Sequence, residues 1–293
     1  MLEEVIYYEE RGTKYGIIAH PAIEKKEAPL VVFLNAGLVN RQGPNGIYVK
    51  LSRDLKAAGF ASFRFDLPGI GDNINDSRWS SKTQFYAEEL RSVIDHFRAA
   101  GRFDSFILLG LCTGANMAFD YALGENAVKG ICMINGTRMP QGGNGGRSIR
   151  VRYYRKYLTD IRRWLKFLSF KKLLRVPGYF ILVLVVIGGK AWSLLSGKAK
   201  GKAAKKDPAA GPKEITWWPV LLNRGVEVFQ VVSEGSESFD CIDNPDKRVA
   251  DLVVSRDNYR EQIIYDADHT FTSIVSQKAL IEGIVRWCQS RFN

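Results

Sequence analysis

The sequence lacks the closely spaced cysteines of a disulfide-rich or zinc-binding domain. Its four cysteines, Cys112, Cys132, Cys241 and Cys288, lie far apart and show no metal-ligand spacing. No signal peptide precedes them, so we expect free thiols in a reducing compartment and a cytoplasmic location. A chain of 293 residues is long enough to build one large core without cross-links. The residues indicate no metal site and no organic cofactor.

The sequence also lacks an apolar run long enough to span a bilayer. The longest such run covers residues 176–189, which is 14 residues. As a helix it measures about 21 Å, against a hydrocarbon core of about 30 Å. Extending the run to Leu195 takes in Lys190 and is the poorer interpretation. We therefore do not predict a transmembrane helix.

Acidic residues are nearly missing from one segment, residues 147–214. It holds 18 Lys and Arg against 3 Asp and Glu, whereas the rest of the chain holds 24 against 28. The formal net charge of +11 therefore comes from this segment alone. The segment contains no recognised nucleic-acid-binding motif, so nucleic acid is not the expected partner.

This basic segment interrupts the pattern of the surrounding chain. We predict a core at 1–140 and 215–293, with residues 141–214 inserted as a lid. Apolar residues recur at helical spacing over 153–168 with Arg and Lys between them, which predicts a basic amphipathic helix. We expect residues 150–213 to lie on an anionic membrane surface, at the inner face of the membrane. The alternative is a lid that only packs over the mouth of the active site.

The strongest motif lies at residues 106–117, where an apolar run stops at a tight turn and continues as a helical pattern. Glycines two residues either side of a Ser or Cys are typical of a nucleophile elbow, whose strained turn leaves no room for flanking side chains. Here Gly110 and Gly114 flank Cys112, which is the predicted nucleophile. The alternative is that Cys112 is a small apolar residue in a buried turn.

Two N–H groups are predicted to bind the carbonyl oxygen of a substrate. One belongs to Thr113, which follows Cys112 at the start of the helix. The other belongs to Gly37 or Leu38, in the loop after the apolar strand 30–34. The alternative for this loop is an ordinary glycine turn.

The last part of the chain supplies the remaining candidates. Strands alternate with helices along the whole core, which predicts a mostly parallel α/β sheet. His269 follows the last strand, where ligands bind in such sheets, while His20 and His96 are predicted at the surface. A loop rich in acids precedes the last strand, and its candidates for the third catalytic group are Glu237 and Asp240.

Four motifs carry a resemblance to a known family; they are residues 33–45, 64–72, 110–115 and 268–271. With them the chain resembles α/β-hydrolases and, more narrowly, the exosortase A system-associated hydrolases. The resemblance implies a mostly parallel eight-stranded sheet covered by helices, and a bacterial hydrolase encoded beside exopolysaccharide and protein-sorting systems. Similar proteins tend to read Ser-Glu-Gly-Asp in the acid loop, whereas this chain has Ser236 at the acid position.

These residues together predict an acyl hydrolase or acyltransferase. A Cys-His-acid triad would cleave an ester or thioester of a small-molecule or lipid-like acyl substrate. The alternative is a catalytically inactive module with the same fold, which binds a membrane or a partner through its basic insertion.

Overall fold

The computed structural model describes most of the predicted core. The described residues are 3–9, 14–23, 27–73, 83–138, 213–239 and 253–292. The predicted insertion lies outside them apart from its last two residues, so its amphipathic helix and membrane contact stay predictions. Asp240 also lies outside them. No helix within the described ranges is both long and apolar enough to cross a membrane.

Eight strands form one sheet in the order β1-β2-β4-β3-β5-β6-β7-β8. The two pairs β1–β2 and β2–β4 are antiparallel and the other pairs are parallel, so the sheet is mostly parallel, as predicted. This order places β5 between β3 and β6. The strands are β1 (Glu3–Tyr7), β2 (Tyr15–Ala19), β3 (Leu30–Leu34), β4 (Ser62–Phe65), β5 (Phe106–Leu111), β6 (Val128–Ile134), β7 (Glu227–Gly235) and β8 (Tyr259–Asp268).

Helices cover both faces of the sheet. Those of the described residues are α1 (Ile47–Ala57), α2 (Thr83–Ala99), α3 (Thr113–Ala122), α4 (Lys213–Asn223) and α5 (Ile274–Arg291). Buried side chains of α1 and α5 share one apolar cluster, and those of α2, α3 and α4 share the other. The sequence pattern predicts helices over 45–59, 82–100 and 274–290, close to these bounds. Asn45 lies outside α1, in a 3-10 turn (Pro44–Gly46) that precedes it.

The central strands are buried on both faces, as their continuous apolar runs predict. In β3, Leu30, Val32 and Leu34 face the cluster of α2, α3 and α4, while Val31 and Phe33 face that of α1 and α5. Because β3, β5 and β6 are parallel, their carboxyl ends lie along one edge of the sheet. The predicted site residues lie in the segments that follow these ends.

Candidate active site

Cys112 lies in the turn between β5 and α3. Its backbone has φ 59° and ψ −113°, a strained conformation for a residue with a side chain. A Cβ at Gly110 would lie 2.2 Å from the carbonyl carbon of Gly114, and one at Gly114 would lie 2.7 Å from the carbonyl oxygen of Asn35. The structure therefore contains the strand, tight turn and helix that the sequence predicts, and both glycines are required by close backbone contacts.

The thiol of Cys112 differs from the other described thiols in its exposure. Cys112 is half-buried, whereas Cys132 and Cys288 are fully buried. Burial raises the pKa of both buried thiols, so they stay protonated at neutral pH. Among the described cysteines, Cys112 is thus the one that a substrate can reach.

The loop after β3 contacts the elbow directly. The Gly37 N–H donates a hydrogen bond to Thr113 Oγ1 at 2.8 Å, so two of the predicted oxyanion residues lie together beside Cys112. In this geometry the Gly37 N–H is bonded to the Thr113 hydroxyl and is therefore not available to a substrate oxygen. Thr113 is the first residue of α3, so its own N–H has no acceptor within the helix. Leu38 follows with 73% of its surface exposed.

Tyr48 of α1 connects the last residues of β3 and β5, a role that the sequence analysis missed. Its hydroxyl accepts a hydrogen bond from the Leu111 N–H at 2.9 Å and donates one to the Leu34 carbonyl at 3.0 Å. Burial raises the pKa of Tyr48, which keeps the donating proton in place. A signal was present in the sequence, because a tyrosine on the apolar face of a helix needs a partner for its hydroxyl.

Asp66 fixes the loop after β3 against the loop after β4. Its carboxylate accepts hydrogen bonds from Asn35 Nδ2 at 3.1 Å and from the Arg41 N–H at 2.6 Å, and it forms an ion pair with the Arg41 guanidinium. Asn35 Oδ1 accepts a further bond from the Leu67 N–H at 2.9 Å. Asn35 and Asp66 are each 1% exposed. These members of the resemblance motifs therefore hold the loop that contains Gly37.

The segment after β8 contacts the connections that follow β3 and β6. Asn135, which follows β6, donates to the His269 carbonyl at 2.8 Å. Asn45, in the connection after β3, donates to the Thr270 carbonyl at 3.1 Å. Because β5 lies between β3 and β6 in the sheet, the segment after β8 is bonded to residues on both sides of the strand that leads to Cys112. No hydrogen bond joins Cys112 to the His269 ring among the described residues, and such bonds are often formed only when substrate binds.

The His269 ring has a different partner from the predicted one. Its Nδ1 lies 3.3 Å from Ser236 Oγ. Glu237 is exposed and its negative charge raises the pKa of His269, but burial has the larger effect, so the pKa lies below its usual value. Within the described residues, no carboxylate forms a hydrogen bond with the ring. The direct bond is thus made by Ser236 and not by Glu237, while a role for Asp240 stays a prediction.

Two further carboxylates of this region accept hydrogen bonds from backbone groups. Asp268 accepts hydrogen bonds from the N–H groups of Thr270 at 2.9 Å and Thr272 at 3.2 Å. Glu234 accepts one from the Asp266 N–H at 3.0 Å. These carboxylates shape the turn that presents His269.

Comparisons with known proteins agree on the fold. A family model described as serine aminopeptidase S33 matches residues 30–137. The dienelactone hydrolase of Anabaena variabilis is 12% identical with a TM-score of 0.57, over 100% of this chain and 99% of that one. A thermophilic esterase from Thermogutta terrifontis is 14% identical with a TM-score of 0.53, over 100% of both chains. An alpha-beta serine hydrolase homologue from Coxiella burnetii is 12% identical with a TM-score of 0.52, over 97% of this chain and 96% of that one. The protein has the α/β-hydrolase fold. No curated protein matches its sequence.

Within the α/β-hydrolase fold, the family match covers one part of the site only. It includes the elbow and the loop after β3, but it ends before the acid loop and His269. The matching family is named for a serine enzyme, whereas the elbow here carries Cys112. The narrower resemblance to exosortase A system-associated hydrolases stays a prediction.

Proposed function

We propose that the protein is an acyl hydrolase or acyltransferase that acts on an ester or thioester, with Cys112 as nucleophile and His269 as general base. The observation that carries this proposal is that the His269 segment bonds to residues on both sides of β5, the strand that leads into the strained turn of Cys112. Similarity to esterases and hydrolases in fold supports the reaction class.

In the first half of the reaction, the Cys112 thiol gives its proton to Nε2 of neutral His269 while Sγ forms a bond to the carbonyl carbon. The negative charge that develops on the oxygen is stabilised by the N–H of Thr113 and that of Gly37 or Leu38. Use of the Gly37 N–H requires the Thr113 hydroxyl to rotate away. The C–O or C–S bond to the leaving group then breaks, and His269 returns the proton to the departing alcohol or thiol.

In the second half, an acceptor attacks the thioester formed on Cys112. His269 takes a proton from the attacking water, the S–C bond breaks, the carboxylic acid leaves and the thiol is restored. With an alcohol, thiol or amine in place of water, the acyl group is transferred instead. A thioester intermediate is itself an activated acyl group, so the site is better suited to thioester cleavage or transfer than to amide hydrolysis.

A carboxylate of the acid loop remains part of this proposal. Negative charge near His269 stabilises the imidazolium that forms when the thiol is deprotonated. Glu237 is one candidate, since its charge raises the pKa of His269 through space. Asp240 is the other candidate.

Replacing the nucleophile tests the proposal. Cys112→Ala should lower turnover of a p-nitrophenyl ester or an activated thioester by at least about 10³-fold, because no other described thiol is accessible. Cys288→Ala removes a buried thiol and is the matched control, with activity near that of the unaltered protein. A thiol-reactive acyl probe should label the unaltered protein and Cys288→Ala but not Cys112→Ala.

Two results would contradict the proposal. Full turnover by Cys112→Ala would remove the elbow from the mechanism. A folded, unaltered protein that neither turns over these substrates nor reacts with the probe would favour the inactive module.

A further inference from the structure

Ser236 occupies the position in the sheet from which a third catalytic group would reach His269. Gly235 pairs with Asp268 at the ends of β7 and β8, so Ser236 and His269 are the first residues after two neighbouring strands. Ser236 is 1% exposed and its Oγ lies 3.3 Å from His269 Nδ1. We infer that the Ser236 hydroxyl, and not a carboxylate, accepts a hydrogen bond from Nδ1–H and positions His269 for a cysteine nucleophile. This inference rests on the proposed function.

The Ser236 hydroxyl is held in place by its own turn. Its backbone N–H donates to the Ser233 carbonyl at 3.0 Å, and its Oγ accepts from the Ser238 N–H at 3.1 Å. A hydroxyl oxygen accepts two hydrogen bonds, so one lone pair remains for His269. His269 acts as a base at Nε2 only when Nδ1 carries the proton. In the inferred arrangement the Ser236 hydroxyl is the acceptor, so Nδ1 carries the proton, Nε2 is free to act as base, and the ring is held in one orientation.

Within the described residues, the charged groups around His269 act on the ring through space and not through a hydrogen bond. Glu237 and Asp268 both raise its pKa, but burial lowers the pKa by more. The Asp268 carboxylate accepts hydrogen bonds from the backbone N–H groups of Thr270 and Thr272. The imidazole is therefore neutral at neutral pH, and its direct partner carries no charge.

An uncharged partner suits a cysteine better than a serine nucleophile. A thiol has a pKa of about 8.5, so a neutral imidazole removes its proton easily. A serine hydroxyl is a far weaker acid, and its attack depends on a carboxylate that stabilises the imidazolium. The residues at positions 112 and 236 are therefore functionally linked: with a cysteine as nucleophile, a negatively charged residue at position 236 is not needed.

The first arm of the test compares two serines of the same turn in the full-length protein. Ser236→Ala should lower kcat by about 10-fold with little change in KM, because the substrate does not touch this residue. Ser238 is also 1% exposed, and its Oγ has no hydrogen-bond partner in the described part of the chain. Ser238→Ala keeps the backbone N–H that donates to Ser236, so it is the matched control and should retain activity.

The second arm of the test introduces a carboxylate at position 236. Ser236→Asp should move the acid limb of the kcat/KM profile to higher pH, because a carboxylate beside Nδ1 raises the pKa of His269. Cys112→Ser should lose about 10²-fold or more in activity, and the double variant Cys112→Ser with Ser236→Asp should recover at least about 10-fold over Cys112→Ser. A merely structural role for Ser236 predicts neither the shift nor the recovery.

Nitrogen NMR of His269 gives a readout that does not depend on turnover. The unaltered protein and Ser238→Ala should show the proton on Nδ1, whereas Ser236→Ala should populate both tautomers. The inference is overturned if Ser236→Ala matches Ser238→Ala in both tautomer and kcat, or if Ser236→Asp produces neither the pH shift nor the recovery. In those cases the loss of activity in Cys112→Ala would still support the proposed function.

Discussion

The two halves of the site are built in different ways. The nucleophile half is made by consecutive residues of one strand, turn and helix, and backbone contacts at Gly110 and Gly114 fix its shape. The histidine half is held by side-chain hydrogen bonds between separate parts of the chain. The first half therefore depends on the absence of side chains, and the second depends on particular polar ones.

Asn135 is the centre of the histidine half. It is fully buried and has a positive φ of 52°. Its Oδ1 accepts from the Ser233 N–H at 2.8 Å, and its Nδ2 donates to Ser233 Oγ at 3.0 Å and to the His269 carbonyl at 2.8 Å. One side chain thus connects β6, β7 and the segment after β8. Loss of the Asn135 side chain would therefore break all of these connections at once, whereas the contacts that fix the elbow involve several backbone positions.

A substitution that disrupts the nucleophile half should have the largest effect on stability and activity. In Gly114→Ala the new Cβ would lie 2.7 Å from the Asn35 carbonyl oxygen and 2.8 Å from that of Leu34. These are backbone atoms at the base of the predicted oxyanion loop, so they cannot move without displacing it. We expect the free energy of unfolding to fall by about 3 kcal/mol and activity to be lost, as measured by urea denaturation and ester turnover.

Gly124→Ala is the matched control for this substitution. Gly124 lies just beyond the other end of α3, and a Cβ built on it meets no atom within 4 Å. It should leave stability and activity near those of the unaltered protein. If Gly114→Ala were as stable and active as Gly124→Ala, the close contacts at the elbow would not determine its geometry.

Breaking the histidine half should have a smaller effect on stability but a clear effect on turnover. Asn135→Ala leaves the Ser233 N–H and the His269 carbonyl without their partner. We expect a loss of about 2 kcal/mol in the free energy of unfolding, because each unsatisfied buried group costs about 1–3 kcal/mol and part is recovered by relaxation. We also expect kcat to fall by about 10-fold or more, since His269 loses its anchor.

A second asparagine separates positioning from stability. Asn258 also donates two hydrogen bonds through Nδ2, to the carbonyls of Leu222 at 3.0 Å and Val226 at 2.9 Å, at the opposite end of β7 and β8. Asn258→Ala should lower stability comparably while kcat stays unchanged. An equal loss of kcat in both variants would show that general destabilisation, and not the position of His269, explains the effect.

The contrast between the halves also explains what the sequence could predict. Glycine spacing and apolar runs are local signals, so the elbow, the buried strands and the mostly parallel sheet are predictable from residues near each other in the chain. The bond between His269 and Ser236 depends on strand register, which pairs Gly235 with Asp268. The sequence showed carboxylates in that loop but not which side chain points at the ring. Tyr48 and Asn135 were missed for the same reason, because their partners lie on other elements.

The smallest expected effect concerns the charge on the histidine half. Burial lowers the pKa of His269 from its usual 6.5, and Glu237 opposes this from an exposed position. The neutral imidazole is the active form, so activity should be lost as pH falls through a value below 6.5. Glu237→Gln removes a charge that favours the imidazolium, so the acid limb of the kcat/KM profile should move to lower pH. The shift should be small and should shrink with added salt, because Glu237 is exposed to solvent.

Glu282→Gln is the control, since Glu282 is an exposed glutamate of α5 that does not contribute to the His269 pKa. An acid limb that moves upward in Glu237→Gln, or one that does not move at low salt, would show that Glu237 does not act on His269.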